Sequence, residues 1–110
     1  MKSIAALGCL LLAIAAAQAQ TYPNRAVRLV VPFAAGGSTD IIGRTVAQKL
    51  NELWGQPVVV DNRPGGSTVI GTDVVSKSAP DGYTLLVTPA PFTIVPSLTT
   101  TKLPYDPAKW

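Results

Sequence analysis

VRLVVPFAAGGSTDI, residues 27–41, decides the fold. Val27-Arg28-Leu29-Val30-Val31 is a β-branched apolar run, and Pro32 closes it, so it reads as a buried strand. A short loop from Phe33 to Gly37 follows. Ser38 or Thr39 then offers an N-cap, and Asp40 falls in the first helical turn, where the helix dipole favours a negative charge. Beyond it Ile41, Ile42, Val46, Leu50 and Leu53 recur at helical spacing, and Gly55 is placed to end the helix. Strand, turn, helix is thus written into one short stretch.

The same sentence is written again. GGSTVI at 65–70 repeats GGSTDI at 36–41 with one change, and it too follows an apolar run, Pro57-Val58-Val59-Val60. Asp61–Gly66 reads as the second loop, Ser67 or Thr68 as the cap, and Val69, Ile70, Val74 and Val75 as the apolar side of a second helix. Ala79-Pro80-Asp81-Gly82 is a turn, and Tyr83-Thr84-Leu85-Leu86-Val87 a third strand. After Thr88 the chain is rich in Pro and Thr, and Leu103-Pro104-Tyr105-Asp106-Pro107 reads as irregular. The order β-α-β-α-β predicts an α/β fold with a parallel sheet, right-handed crossovers and helices on both faces.

Residues 1–19 form a separate unit. Lys2 supplies a positive start, Ile4–Ala17 an apolar stretch, and Ala17-Gln18-Ala19 a small-residue cleavage site. This is the pattern of a cleaved secretory signal peptide, too short for a comfortable membrane span. Cys9 falls too early in the apolar run for a lipoprotein anchor. The expected mature chain starts near Gln20 and is exported.

Composition excludes several chemistries. The 110 residues contain no histidine, and their one cysteine lies in the leader. The mature chain therefore lacks the usual neutral-pH base, a thiol nucleophile, a disulfide and the commonest metal ligands. No two of its acidic residues pair at a spacing suited to acid–base work, so no catalytic residue, metal site or cofactor is predicted. The net charge of +3 is spread along the chain without a basic run, which argues against nucleic acid.

The repeated hexapeptide carries the functional signal. In a parallel sheet both turns gather at the carboxyl ends of the strands, where ligands bind. Glycines let backbone approach a ligand, hydroxyls add donors, and each helix start presents free N–H groups. Two such turns on neighbouring strands would build a pocket for a carboxylate or phosphate. The plainer reading is that Gly-Gly-Ser-Thr is sound chemistry for any strand-to-helix turn. Neither copy meets the full pattern of a nucleotide-binding loop. Gly37 and Gly43 have five residues between them, and Gly66 and Gly71 have four but lack the following Lys. Arg63, beside the second loop, reads either as a partner for a ligand carboxylate or as a surface charge. Trp54 reads as a packing residue.

These words in this order resemble the Bug family, the extracytoplasmic substrate-binding proteins of tripartite tricarboxylate transporters. The likeness runs through Tyr22-Pro23, Val31-Pro32-Phe33, Gly36-Gly37 and Asp40. It continues through Gly55-Gln56-Pro57, Asn62-Arg63-Pro64-Gly65-Gly66, Ala79-Pro80-Asp81-Gly82-Tyr83 and Leu103-Pro104-Tyr105-Asp106-Pro107. The resemblance implies a periplasmic-binding-protein fold of two lobes with a small carboxylate between them. It implies delivery to a membrane permease, a periplasmic location and a monomer. Carried over residue by residue, it implies a ligand site of Phe33, Ala35, Gly36, Gly37, Ser38, Thr39, Asp40, Gly65, Gly66, Ser67 and Thr88, with Pro89 and Ala90 extending the wall after strand three. It also implies a second lobe that these 110 residues do not contain. The expectation is therefore residues 20–110 as a partial first lobe, second lobe absent. A non-binding remnant is the competing reading. An exported α/β hydrolase is a weaker one, since neither base nor metal ligand is present.

Overall fold

The computed structural model describes residues 21–88 and 90–108. The predicted signal peptide and Pro89 lie outside the described residues. The elements are β1 (Val27–Val31), α1 (Ser38–Trp54), β2 (Val58–Asn62), a 3-10 turn (Gly66–Thr68), α2 (Val69–Ser76), β3 (Thr84–Leu86) and α3 (Pro91–Leu98). The three strands form one parallel sheet in the order β2-β1-β3. The predicted α/β class and β-α-β-α-β order are therefore observed.

β1 is the centre of the core. Val27, Leu29, Val30 and Val31 are all buried, as a strand covered on both faces requires. Val31 lies against Gly43 of α1, and the next residue, Pro32, lies against Gly71 of α2. Successive side chains alternate between faces, so the two helices cover opposite sides of the sheet. The amino-terminal end is closed by rings. Tyr22 meets Trp54 and Tyr83 edge-on at 5.8 and 5.1 Å, and the Arg25 guanidinium stands 4.1 Å over Tyr83 while pairing with Asp81.

Four sequence expectations need correction. The apolar stripe of α1 does not face the sheet. Asp40, Gly43 and Ala47 are the buried residues, whereas Ile41, Ile42, Val46 and Leu53 are exposed. Branched valines make the sheet surface bulky, and the helix approaches it with its small side chains. A Cβ on Gly43 would sit 2.9 Å from the Val31 side chain. α2 behaves likewise, burying Gly71 and Thr72 and leaving Ile70 exposed. Second, β2 runs on through Asp61 and Asn62, which read as loop, because both pair in register with Val30 and Val31. Third, no hydroxyl caps α1 or α2 by a side-chain hydrogen bond. The N-cap of α1 is Gly37, and Ser38 is already its first residue, whereas Thr68 does stand at the N-cap of α2, as one of the two residues read for that place.

Fourth, Pro91–Leu98 is a helix where irregular chain was expected. Pro91 suits a first helical position, having no N–H to orphan there. Pro96 breaks the usual rule against interior proline. The helix is held by packing against the Gly66–Thr68 turn and by a stacked pair of rings, Phe92 on Tyr105 at 6.5 Å. Tyr105 is buried and draws the Leu103–Pro107 segment back under α3. Among the described residues, no helix is long and apolar enough to cross a membrane.

Candidate functional site

All three strands point the same way, so the loops after β1, β2 and β3 meet at one edge of the sheet. The first loop is held from both ends. The Asn62 side-chain amide donates to the Phe33 carbonyl at 3.1 Å, and the Gly36 N–H donates to the Asp40 carboxylate at 2.9 Å. Register explains why Asn62 is available. It lies opposite Val31 on β2 and so points to the face that α1 covers.

Asp40 is the hub. It is 2% exposed. One carboxylate oxygen accepts from Gly36 N–H and from Arg44 Nε at 2.9 Å, and the other accepts from Asn62 Nδ2 at 2.8 Å. Arg44 Nη2 also donates to Asn62 Oδ1 at 3.2 Å, which closes the ring. The Arg44 hydrogen bond, followed by those from Gly36 and Asn62, lowers the Asp40 pKa from 3.8 to about 2 against the opposing effect of burial.

This ring shapes the turn. Gly36 takes φ 89, a torsion open to glycine, and Gly37 returns to extended backbone before the helix begins. The N–H groups of Ser38, Thr39 and Asp40 are the first of α1 and have no carbonyl one turn back within it. Ala35, Gly36, Gly37 and Ser38 are exposed, and Thr39 and Phe33 are half-buried. The structure thus gathers Phe33, Gly36 and Asp40 into one bonded cluster, and Gly37 to Thr39 open from it.

The second copy is built differently. Gly65, Gly66, Ser67 and Thr68 have φ of 123, 57, 50 and 81°, and α2 starts only at Val69. Gly65 requires glycine by its torsion, whereas the atom a Cβ there would meet, at 2.6 Å, is the terminal methyl of the exposed Ile70, which can move aside. Thr68 is buried, and its hydroxyl has no hydrogen-bond partner among the described residues; Thr72 is the same one turn on. Gly66 and Ser67 line a cavity of about 310 Å³ with Val69, Val95, Leu98, Thr99 and Leu103. They therefore face α3. Thr88 follows β3 at the same edge of the sheet, where the Val87 N–H still donates to the Val30 carbonyl at 2.9 Å.

Arg63 is turned away from the edge. Its Nε donates to both oxygens of Asp61, at 3.0 and 3.1 Å, and Arg28 holds the same carboxylate from β1. Burial works to raise the Asp61 pKa, but the bonds from Arg28 and Arg63 outweigh it and the net direction is down. Sequence reasoning did not single out Arg44 as a site residue, and it read Asn62 only as the start of a loop, Asn62–Ser67, lining the cleft. Its bond to Asp40 was missed because the strand was read as ending at Val60, whereas Asn62 is the last residue of β2. Among the described residues, no group of three or more His, Cys, Asp or Glu is placed to hold a metal ion.

Comparison with known proteins gives this edge a context. Residues 42–110 match the model for the tripartite tricarboxylate transporter family receptor. A UPF0065 protein of Bordetella bronchiseptica is 45% identical over 100 residues, which is 91% of this chain and 30% of the relative. The solved periplasmic binding protein BugD is 44% identical with a TM-score of 0.73, over 78% of this chain and 28% of that one. An R. palustris protein solved with adipate is 41% identical with a TM-score of 0.74, over 79% and 29% of the two chains. MatC of Rhodopseudomonas palustris, solved with bound malate, is 33% identical with a TM-score of 0.65, over 80% and 30%. The chain thus spans about 30% of the length of these relatives.

Proposed function

The chain belongs to the tripartite tricarboxylate transporter receptor family, and we propose that it supplies part of the binding lobe of a periplasmic receptor for a small carboxylate. The carrying observation is the first turn. Its N–H groups open at the carboxyl edge of the sheet, and the acidic side chain beside them is already paired to Arg44 and Asn62. A carboxylate suits such a helix start because it accepts several N–H donors at once and meets the positive end of the dipole. Similar proteins solved with adipate and with malate support a dicarboxylate as the ligand class.

In this reading Gly37, Ser38 and Thr39 receive the ligand carboxylate, and Ala35 and Gly36 set the path of the loop. Phe33 shapes the mouth, and Asp40 holds the turn rather than touching ligand. Gly65, Gly66, Ser67 and Thr88 form the adjoining wall. Residues 1–19 act as a cleaved export signal, and residues 20–110 belong to the first lobe. The loaded receptor works as a monomer, hands its ligand to a membrane permease and catalyses no reaction.

The test is thermal unfolding of the complete protein with a panel that includes adipate, malate and citrate. A rise in melting temperature with at least one carboxylate is the expected result. A flat response across the panel would overturn the reading.

A further inference from the structure

We infer that Arg44 is a positioning residue for the carboxylate site, acting through Asp40: it cancels the acidic side chain at the start of α1, so that the first turn attracts an anion instead of opposing it. This inference rests on the reading of that turn as the ligand loop.

The geometry has two parts. Asp40 is a buried carboxylate inside the first turn of α1, within the same few residues as the N–H groups that would face the ligand. Left alone there, its charge would offset the helix dipole and repel a second carboxylate. Among the described residues, Arg44 is the one cation acting on it. From β2 comes the neutral amide of Asn62, and from the loop the neutral N–H of Gly36. Asp61 of β2 is paired on the opposite face with Arg28 of β1 and with Arg63, which follows β2. The compensating cation is Arg44, with Nε on Asp40 at 2.9 Å.

The second part is the fork. Arg44 also reaches Asn62 through Nη2, and Asn62 in turn holds the Phe33 carbonyl. One guanidinium thereby fixes both the charge and the shape of the loop. A lysine would deliver the charge from a single point without the second bond. The Arg44 side chain is 56% exposed, so core packing alone does not account for it.

The experiment is calorimetric titration of the complete protein with adipate, malate and citrate. Arg44→Gln is expected to weaken the best of these about tenfold, as loss of a charge-assisted contact does. Arg44→Lys should fall between that variant and the wild type. The double variant Asp40→Asn, Arg44→Gln should recover most of the loss, because no charge remains to be cancelled. Wild-type affinity in Arg44→Gln, or a double variant no better than the single one, would overturn the inference. Failure of the wild type to bind any of the three would instead overturn the ligand reading. In that case carbon-detected NMR titration of the Asp40 carboxyl still decides the role of Arg44. An upward shift in Arg44→Gln supports cancellation, and an unchanged titration overturns it.

Discussion

GGSTDI and GGSTVI differ at one position, and the two turns they form share little. In the first, the helix begins at the serine; in the second, it begins only after the threonine. The differing residue accounts for this. Asp40 reaches back to the Gly36 N–H and across to Asn62, so the first turn is stitched to α1 and β2. Val69 stands at the corresponding place and has no group with which to do so. The second turn instead continues through four residues of positive φ, two of them not glycine, and rests on α3. One carboxylate thus turns a generic strand-to-helix connection into a preorganised one. The lesson is that a repeat in sequence marks a repeated position in the fold, not a repeated site.

The largest effect that would sharpen this contrast lies beneath the turns. Both helices meet the sheet through a glycine, but with different neighbours. A Cβ on Gly71 would strike Pro32 and the Arg63 carbonyl at 2.7 and 2.9 Å, largely backbone, whereas a Cβ on Gly43 would strike one side-chain methyl of Val31 at 2.9 Å. In urea unfolding of the complete protein, Gly71→Ala should cost about 3 kcal/mol and Gly43→Ala about 1. Equal costs would contradict the picture of a more tightly wedged second helix. Next comes the first turn's anchor. Asn62→Ala removes donors to Phe33 and Asp40 and should cost about 2 kcal/mol. A cost near zero would mean that the turn holds its shape without β2.

The second turn should respond in the opposite direction. Ser67 sits at φ 50 and Thr68 at φ 81. Ser67→Gly should stabilise by about 1 kcal/mol, since glycine adopts that torsion freely, and Ser38→Gly in the first turn should destabilise by a similar amount. Thr72→Val replaces a buried hydroxyl without a hydrogen-bond partner and should be neutral or gain about 0.5 kcal/mol. The last contrast appears only in acid. Asp40 has a pKa lowered from 3.8 to about 2, so its contribution to stability is complete above its ordinary pKa and fades as pH falls from about 4 towards 2. Asp40→Asn should flatten the part of the pH–stability curve that this carboxyl governs. An unchanged curve would remove Asp40 from the hub of the first turn.

Much of the fold was legible because its signals were local. Pro32 closing β1, and Gly55 in the left-handed region at φ 64 ending α1, are properties of single residues. The parallel order followed from alternation of element types. What escaped depends on contacts distant in sequence. The stripe of Ile41, Ile42 and Val46 announces an apolar face but not which surface it meets, and the sheet took the glycine and alanine face instead. α3 forms despite its interior Pro96 and exists through packing on the second turn and Tyr105. Within the site, the loop residues were visible as glycines and hydroxyls. The Arg44–Asp40–Asn62 ring needed the register of β2 on β1, which the apolar pattern of Pro57–Val60 does not contain.

The central claim is that the first turn, not its twin, receives the ligand carboxylate. The most direct measurement is an amide NMR titration of the complete protein with adipate, following Gly37, Ser38 and Thr39 against Gly66, Ser67 and Thr68. The account predicts that the largest saturable shifts fall on residues 37–39, with smaller ones on the second turn. Shifts of equal size on both turns, or larger ones on residues 66–68, would contradict it.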